Sequence, residues 1–323
     1  MLDEVKLARF FEQLNIAIAG GMVTARVAIQ KNSKEFDMDT ASYPAPIDKL
    51  LSYGDAGEVG ENPKDWSQYL ELGLGPEHIP DLIRMATDEE LRWAESNSLE
   101  VWAPIHAWRA LGALRAEAAI EPLLSLFKDI EENDDEWAME ELPEVYGMIG
   151  PAAIPALERY IDDTSHPTWP RVTARQCLEE IAKRHPESRD DCVAILTRQL
   201  ERFEENDDEL NAFLISSLVH LKALEAAPVM EQAFAADRVE TFIMGDWDDV
   251  QVELGLKSEE EVREQRRSQA VASNVLSNIS AEVPTSVPSS SYYRQTSQRS
   301  RADHKKSKIK MAKHSRKKNR RRK

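Results

Sequence analysis

Five short stretches of this chain resemble one another and recur at a nearly constant interval. They are HIPDLIRMA from residue 78, AIEPLLSLF from 119, AIPALERYI from 153, CVAILTRQL from 192 and PVMEQAF from 228. Their anchors, Ile79, Ile120, Ile154, Val193 and Val229, are 41, 34, 39 and 36 residues apart. An interval near forty is the length of one helical hairpin in a repeat array. Each stretch reads as the start of a helix. Ile120, Leu123, Leu124, Phe127 and Ile130 fall close to i, i+3, i+4, i+7 and i+10, an apolar stripe at helical spacing. Pro80, Pro122 and Pro155 fit a first helical turn, where a missing N–H costs little. Another helical stretch precedes each one. In DELNAFLISSLVHLKAL, Leu210, Phe213, Leu214, Leu218, Leu221 and Leu224 share a face. The turns between paired helices carry small residues, as in RAEAA and GPAA.

Start signals agree with this reading. Thr87 with Glu90 and Ser258 with Glu261 have capping-box spacing, and Ser188 with Asp191 is a weaker version. β-branched alternation is nearly absent. The pattern predicts an all-α chain, an α-solenoid of helical hairpins stacking from about Pro44 to Leu256. The expected organisation is an N-terminal helical segment over 1–40, the solenoid over 41–256, a terminal helix over 257–276, and a disordered Ser-rich linker and basic tail over 277–323.

The hexapeptide EENDDE occurs at 131–136 and again at 204–209. Both copies follow an apolar helix and precede another. Their Asn, Asp and Glu residues suit a capping linker between hairpins. The competing reading is a duplicated cation site. A helix–loop–helix calcium loop needs a mid-loop Gly, and neither copy has one.

Charge divides the chain in two. Residues 292–323 hold 15 Lys and Arg against one acid, a net of +14; residues 1–291 hold 26 bases and 57 acids, a net of −31. Residues Lys305, Lys306, Lys308, Lys310, Lys313, Arg316, Lys317, Lys318, Arg320, Arg321, Arg322 and Lys323 form a block expected to attract the phosphates of RNA or another polyanion. Tyr292 and Tyr293 offer stacking surfaces. The alternatives are a solubilising tail and one folded back on the acidic body. Two cysteines do not make a disulfide framework and suggest a reducing compartment. The N-terminus has acids before its apolar stretch and lacks a basic n-region. No apolar run approaches the ~18 residues that span a bilayer. Cytoplasmic localisation is the expectation.

HAWRALGALRAEAAIEPLLSLF and EVYGMIGPAAIPALERYI resemble HEAT-like repeats of the short kind named after phycobilisome lyases. The resemblance covers about residues 76–236. ETFIMGDWDDVQVELGL at 240–256 is similar to a segment that follows such repeats in uncharacterised bacterial proteins. The resemblance implies a HEAT-like solenoid, and for activity it allows several roles: bilin lyase subunits that work as pairs, scaffolds, and an iron hydroxylase with His-Glu dipeptides as metal ligands. This sequence contains no His-Glu dipeptide.

The sequence holds no G-x-S-x-G, H-E-x-x-H, P-loop or G-x-G-x-x-G motif. Gly54, Gly57 and Gly60 read as a loop. Cys177 and Cys192 fall on the two helices of one hairpin, either as a redox pair or as small buried hydrophobes. Trp102, His106 and Arg109 concentrate on one predicted helix, with Trp93 and Trp108 nearby. Trp169 and Arg171 fall in SHPTWPR, read as a loop between repeats. Trp and Arg are enriched at interaction hot spots, so these five are the candidate partner contacts, against the alternative that the tryptophans fill the core. Asp246, Asp248 and Asp249 offer an N-cap or, as the minor reading, a metal site. The expectation is a HEAT-like scaffold, leaning away from catalysis, without cofactor or bound metal. It would hold a protein partner and attach electrostatically through its tail. The alternative is a bilin-lyase-type enzyme or accessory subunit.

Overall fold

The computed structural model describes residues 43–280, without 60, 61, 64, 65 and 96. Described elements are all helices and 3-10 turns, with no strand among the described residues. Two compact units divide at Lys257 and Ser258. The N-terminal segment over 1–40 and the tail from 281 lie outside the described residues.

In the first unit, the described residues of 43–78 form 3-10 turns, at Ile47–Ser52 and Pro76–His78, and a single helical turn at Gln68–Glu71, not the hairpin expected from Pro44 onward. Prolines and glycines break this stretch repeatedly, including Pro44, Pro46, Gly54, Gly57, Gly73 and Gly75. Tyr43 still anchors it: its hydroxyl donates to Asp88 at 2.8 Å, and Arg84 lies over its ring. Longer helices follow. Those of five or more residues are α1 (Ile79–Ala86), α2 (Ala103–Ala113), α3 (Ile120–Leu124), α4 (Lys128–Glu132), α5 (Glu136–Ile149), α6 (Ile154–Asp162), α7 (Thr168–Arg184), α8 (Arg189–Glu201), α9 (Asp208–His220), α10 (Ala227–Ala235) and α11 (Trp247–Leu254). The stripe expected on a single helix after Ile120 is split between α3 and α4 by a 3-10 turn at Ser125–Phe127.

Helices α2, α5, α7 and α9 pack in succession, each against the next, while α6, α8 and α10 lie in a second succession beside them. Two glycines set how closely the first row packs. A Cβ on Gly112 would lie 3.4 Å from the Val145 Cα, and one on Gly147 would lie 3.0 Å from the Glu180 Cβ and the Arg184 side chain. Tyr146, fully buried, donates to the Ile120 carbonyl at 2.7 Å and meets Phe127 edge-on. Most of the stripe expected on α9 turns inward, with Leu210, Leu214, Leu218 and Leu221 buried, but Leu224 does not share its face: the helix ends at His220, and Leu224 starts a separate 3-10 turn and is 50% exposed.

The turns at the ends of α2 and α9 share one device. Arg115 and Lys222 adopt positive φ, and the next N–H reaches back to the helix: Ala116 to the Leu111 carbonyl at 3.0 Å, Ala223 to Leu218 at 2.9 Å. This closes the last turn without glycine. After α5, Gly150 with φ +93° ends the helix instead. Pro80 and Pro155 occupy first turns, as expected.

Ion pairs on the surface repeat at hairpin spacing. Arg159 pairs with Glu121, 38 residues earlier; Arg198 with Glu158 and Arg184 with Glu144, each 40 residues earlier. Exposed pairs contribute at most about 1 kcal/mol each. Their value here is as register marks: each joins a hairpin to the next.

The two hexapeptides both cap helices, in different registers. In the first copy Asp134 takes φ 52°, and Asp135 is the N-cap of α5, accepting from the Ala138 N–H at 3.1 Å. Its other oxygen accepts from Arg92, which also holds Asp129. In the second copy the N-cap of α9 is Asp207, the equivalent of Asp134. It accepts from the Leu210 N–H at 2.7 Å and from the Thr168 hydroxyl at 2.6 Å. Asp208 pairs with Arg238. Identical letters are therefore read one residue out of phase. With these carboxylates already engaged, millimolar calcium or magnesium is expected to shift the melting temperature by less than about 1 °C, since only a ligand of the native state raises it. A saturable rise, abolished by Asp134→Asn or Asp207→Asn in differential scanning fluorimetry, would restore the cation reading.

Other caps differ in detail. Asp88, not Thr87, caps the turn at Glu89–Arg92, and the Thr87 hydroxyl donates back to Ile83. Ser188 precedes α8 without a side-chain cap. Asp246 and Asp249 cap each other at the start of α11, Lys257 holds Asp248, and Gly255 ends the helix in the left-handed region. The second unit is described as α12 (Glu259–Ser280). Ser258 and Glu261 form the expected capping box. Residues 277–280, assigned from composition to the linker, are helical. Among the described residues no helix is long and apolar enough to cross a membrane.

Candidate functional site

The side chains that pointed to a partner surface are largely interior. Helix α2 is buried along residues 103–112, covered by α1, α5 and the turns at Ile47–Ser52 and Gln68–Glu71. His106 and Arg109 are fully buried. The expectation that they face a partner is corrected here: the helix has no free side on which to present them.

His106 bridges two groups. Its Nε2 lies 3.0 Å from the Gly54 carbonyl and its Nδ1 lies 2.7 Å from the Tyr69 hydroxyl. A carbonyl only accepts, so Nε2 carries the proton and Nδ1 accepts from Tyr69. Burial pushes the Tyr69 hydroxyl up to about 12, which keeps that proton in place. Burial, with the Arg109 charge adding to it, lowers His106 from 6.5 to about 4. The folded state therefore binds fewer protons than the unfolded chain across that range. Stability is full above pH 6.5 and falls as pH falls through the window. Between pH 7 and pH 5 the loss from this residue is about 2 kcal/mol. Urea unfolding at both pH values is expected to show it in the wild type and not in His106→Gln; equal losses in the two proteins would assign the effect to other groups.

Arg109 is held more tightly still. Its Nε and Nη2 fork onto the two oxygens of Glu141, with Nε to Oε2 at 2.8 Å. Nη1 donates to the Val59 carbonyl at 2.7 Å and Nη2 to Ala56 at 3.1 Å. Trp108 also donates to Glu141, at 3.1 Å. The cluster clamps the glycine-containing loop from Gly54 to Val59 onto α2 and α5. Trp102 is half-buried, edge-on to Trp137 at 5.5 Å.

Trp169 and Arg171 do not sit in a loop. Helix α7 starts at Thr168, with Pro170 in its first turn, so both residues belong to the helix. Trp169 is half-buried, its ring 5.7 Å from Phe213. Arg171 is buried: Nε donates to the Ile161 carbonyl at 3.0 Å and Nη2 to Asn206 at 3.3 Å. It is corrected as a surface contact for the same reason as His106 and Arg109.

A second polar cluster went unread in the sequence. Glu179 on α7 is buried and accepts from Arg175 at 2.9 Å, Lys183 at 2.6 Å, the Ser217 hydroxyl and His220, whose Nδ1 lies 2.9 Å away. Burial works to raise its pKa, and the bonds from Lys183 and Ser217 with the Arg175 charge outweigh it, holding the carboxyl below the usual range. The readable signals were the i, i+4 pair of Arg175 with Glu179 and the 42-residue step from Arg175 to Ser217, about one hairpin. Cys177 and Cys192 are free and buried, and burial pushes both thiols up, Cys192 to about 12. Thiolate chemistry is suppressed at both. Lys305 to Lys323, the expected polyanion contacts, lie outside the described residues.

A protein-family model described as "Protein of unknown function (DUF1186)" matches residues 105–283. No curated protein and no solved structure matches the chain.

Proposed function

The chain belongs to the DUF1186 family, and from that premise we propose that it is a non-enzymatic cytoplasmic scaffold. Its body is a HEAT-like α-solenoid that holds a protein partner, and its basic C-terminal segment attaches to RNA or another polyanion. The observation that carries this reading is the register of the body: successive hairpins are joined by ion pairs 38 to 40 residues apart. Such nearest-neighbour stacking gives an extended surface suited to holding a partner. Consistent with it, the polar groups of His106, Arg109 and Glu179 are engaged within the body, tying loop to helix and helix to helix. The charge split between body and C-terminal segment supplies the second attachment.

Affinity capture from native lysate, with and without nuclease, tests both halves. The expected result is one protein retained near stoichiometrically in both arms, with RNA present only in the untreated arm. Retention of no protein above background in either arm would overturn the scaffold. A visible chromophore on co-expression with bilin and a phycobiliprotein subunit would replace it with the lyase reading.

A further inference from the structure

Helices α8 and α10 pack side by side, and between them lies an open groove of about 310 Å³. This is the low end of the range that holds a small ligand or a side chain (~300–1,000 Å³). Its apolar part is Phe203 with Pro228 and Val229, the last 9% exposed. Its polar part is Thr197, Gln232 and two carboxylates, Glu201 and Glu225. The Thr197 hydroxyl donates to the Val193 carbonyl at 2.7 Å, so what it offers the groove is an acceptor. Arg189 takes one oxygen of Glu225 at 3.0 Å. No hydrogen bond or ion pair from the described residues reaches the exposed carboxylate of Glu201. The groove thus joins an apolar wall to acceptors and negative charge.

That chemistry is the complement of a lysine side chain, a four-carbon stem ending in three donors. The geometry points to this groove as a docking site for a lysine-bearing segment of a partner protein. The stem would lie against Phe203 and Val229, and the ammonium would meet Glu201, Glu225 and the Thr197 oxygen. Charge complementarity favours such a partner: residues 1–291 carry 57 acids against 26 bases. An anionic ligand finds no counter-charge in the groove lining. The assignment rests on the scaffold reading and names the chemistry of its partner.

The test uses the full chain and a fluorescein-labelled Ala-Lys hexapeptide at ~0.15 M salt, where charges more than about 8 Å apart are screened. Anisotropy is expected to show saturable binding, weakened at least tenfold by Glu201→Gln and by Phe203→Ala. Glu131→Gln, an exposed acid in the last turn of α4 and outside the groove lining, is expected to change it less than twofold. A peptide with norleucine for lysine is expected not to bind. Circular dichroism melting checks that each variant folds, and Glu201→Gln, at an exposed position, keeps the test decisive if Phe203→Ala does not. Equal loss with Glu131→Gln, equal binding of the norleucine peptide, or no binding at all would overturn the site. Tighter peptide binding by a chain ending at Ser291 would give the groove to the chain's own basic segment and overturn the partner assignment. Intact capture of a partner by Glu201→Gln sinks the groove alone. Peptide binding without any captured partner sinks the scaffold reading alone.

Discussion

Glu141→Ala is expected to cost the fold about 3–5 kcal/mol, because it leaves a fully buried guanidinium without its counter-charge. The fork from Arg109 supplies two charge-assisted bonds, and Trp108 a third. Two carbonyls, of Val59 and Ala56, would remain as acceptors, but neither carries a full charge. Burial already works against the Arg109 cation, and Glu141 is the larger opposing influence among its neighbours. The double variant Arg109→Met with Glu141→Leu removes both charges and keeps the volume, so it is expected to recover most of the loss. Urea unfolding of the two singles and the double closes a cycle whose coupling term isolates the pair. Glu141→Ala within about 0.5 kcal/mol of wild type would show that the loop from Gly54 to Val59 is not held through this carboxylate.

The same cluster shows what the sequence could and could not convey. The stripe of Leu210, Leu214 and Leu218 was legible because apolar periodicity is local: each residue's spacing along its own helix decides which face turns inward. So were the capping box of Ser258 with Glu261 and the left-handed terminator Gly255. His106 and Arg109 were misread because their fate depends on distant chain. Arg109 finds Glu141, 32 residues later, and a loop some 50 residues earlier, and only those partners allow a charged group inside. The hairpin period held the clue, since inward acids and bases one repeat apart are candidates to pair. The hexapeptides show the opposite limit. Identical letters predicted helix caps correctly, yet the capping aspartate is Asp135 in one copy and Asp207 in the other. In the first copy α4 runs to Glu132, within the motif, and in the second α8 ends at Glu201, before it. The helix before each motif sets the phase, and six letters do not record it.

Attachment through the C-terminal segment is expected to be lost entirely when the chain ends at Ser291. Residues 292–323 hold 15 Lys and Arg against one acid, whereas residues 1–291 are strongly acidic and repel phosphate. Each phosphate contact releases counterions, so the logarithm of affinity falls with the logarithm of salt by about 0.7 per contact on single strands and 0.9 on duplex. Engaging a third of the fifteen bases gives a slope of roughly −3.5 to −4.5. Fluorescence anisotropy with a labelled oligouridylate, from ~50 to ~200 mM salt, measures it for the intact chain, the truncation and the isolated 292–323 peptide. The peptide is expected to bind more tightly than the intact chain, because the acidic residues compete with phosphate for the same charges. Binding should follow charge and not base sequence, since no base-reading motif accompanies the segment. Equal binding by intact and truncated chains at low salt would remove the segment from any role in attachment. Binding by the peptide alone would mean that in the intact protein these bases are already neutralised, and that attachment to a polyanion must wait until that neutralisation is released.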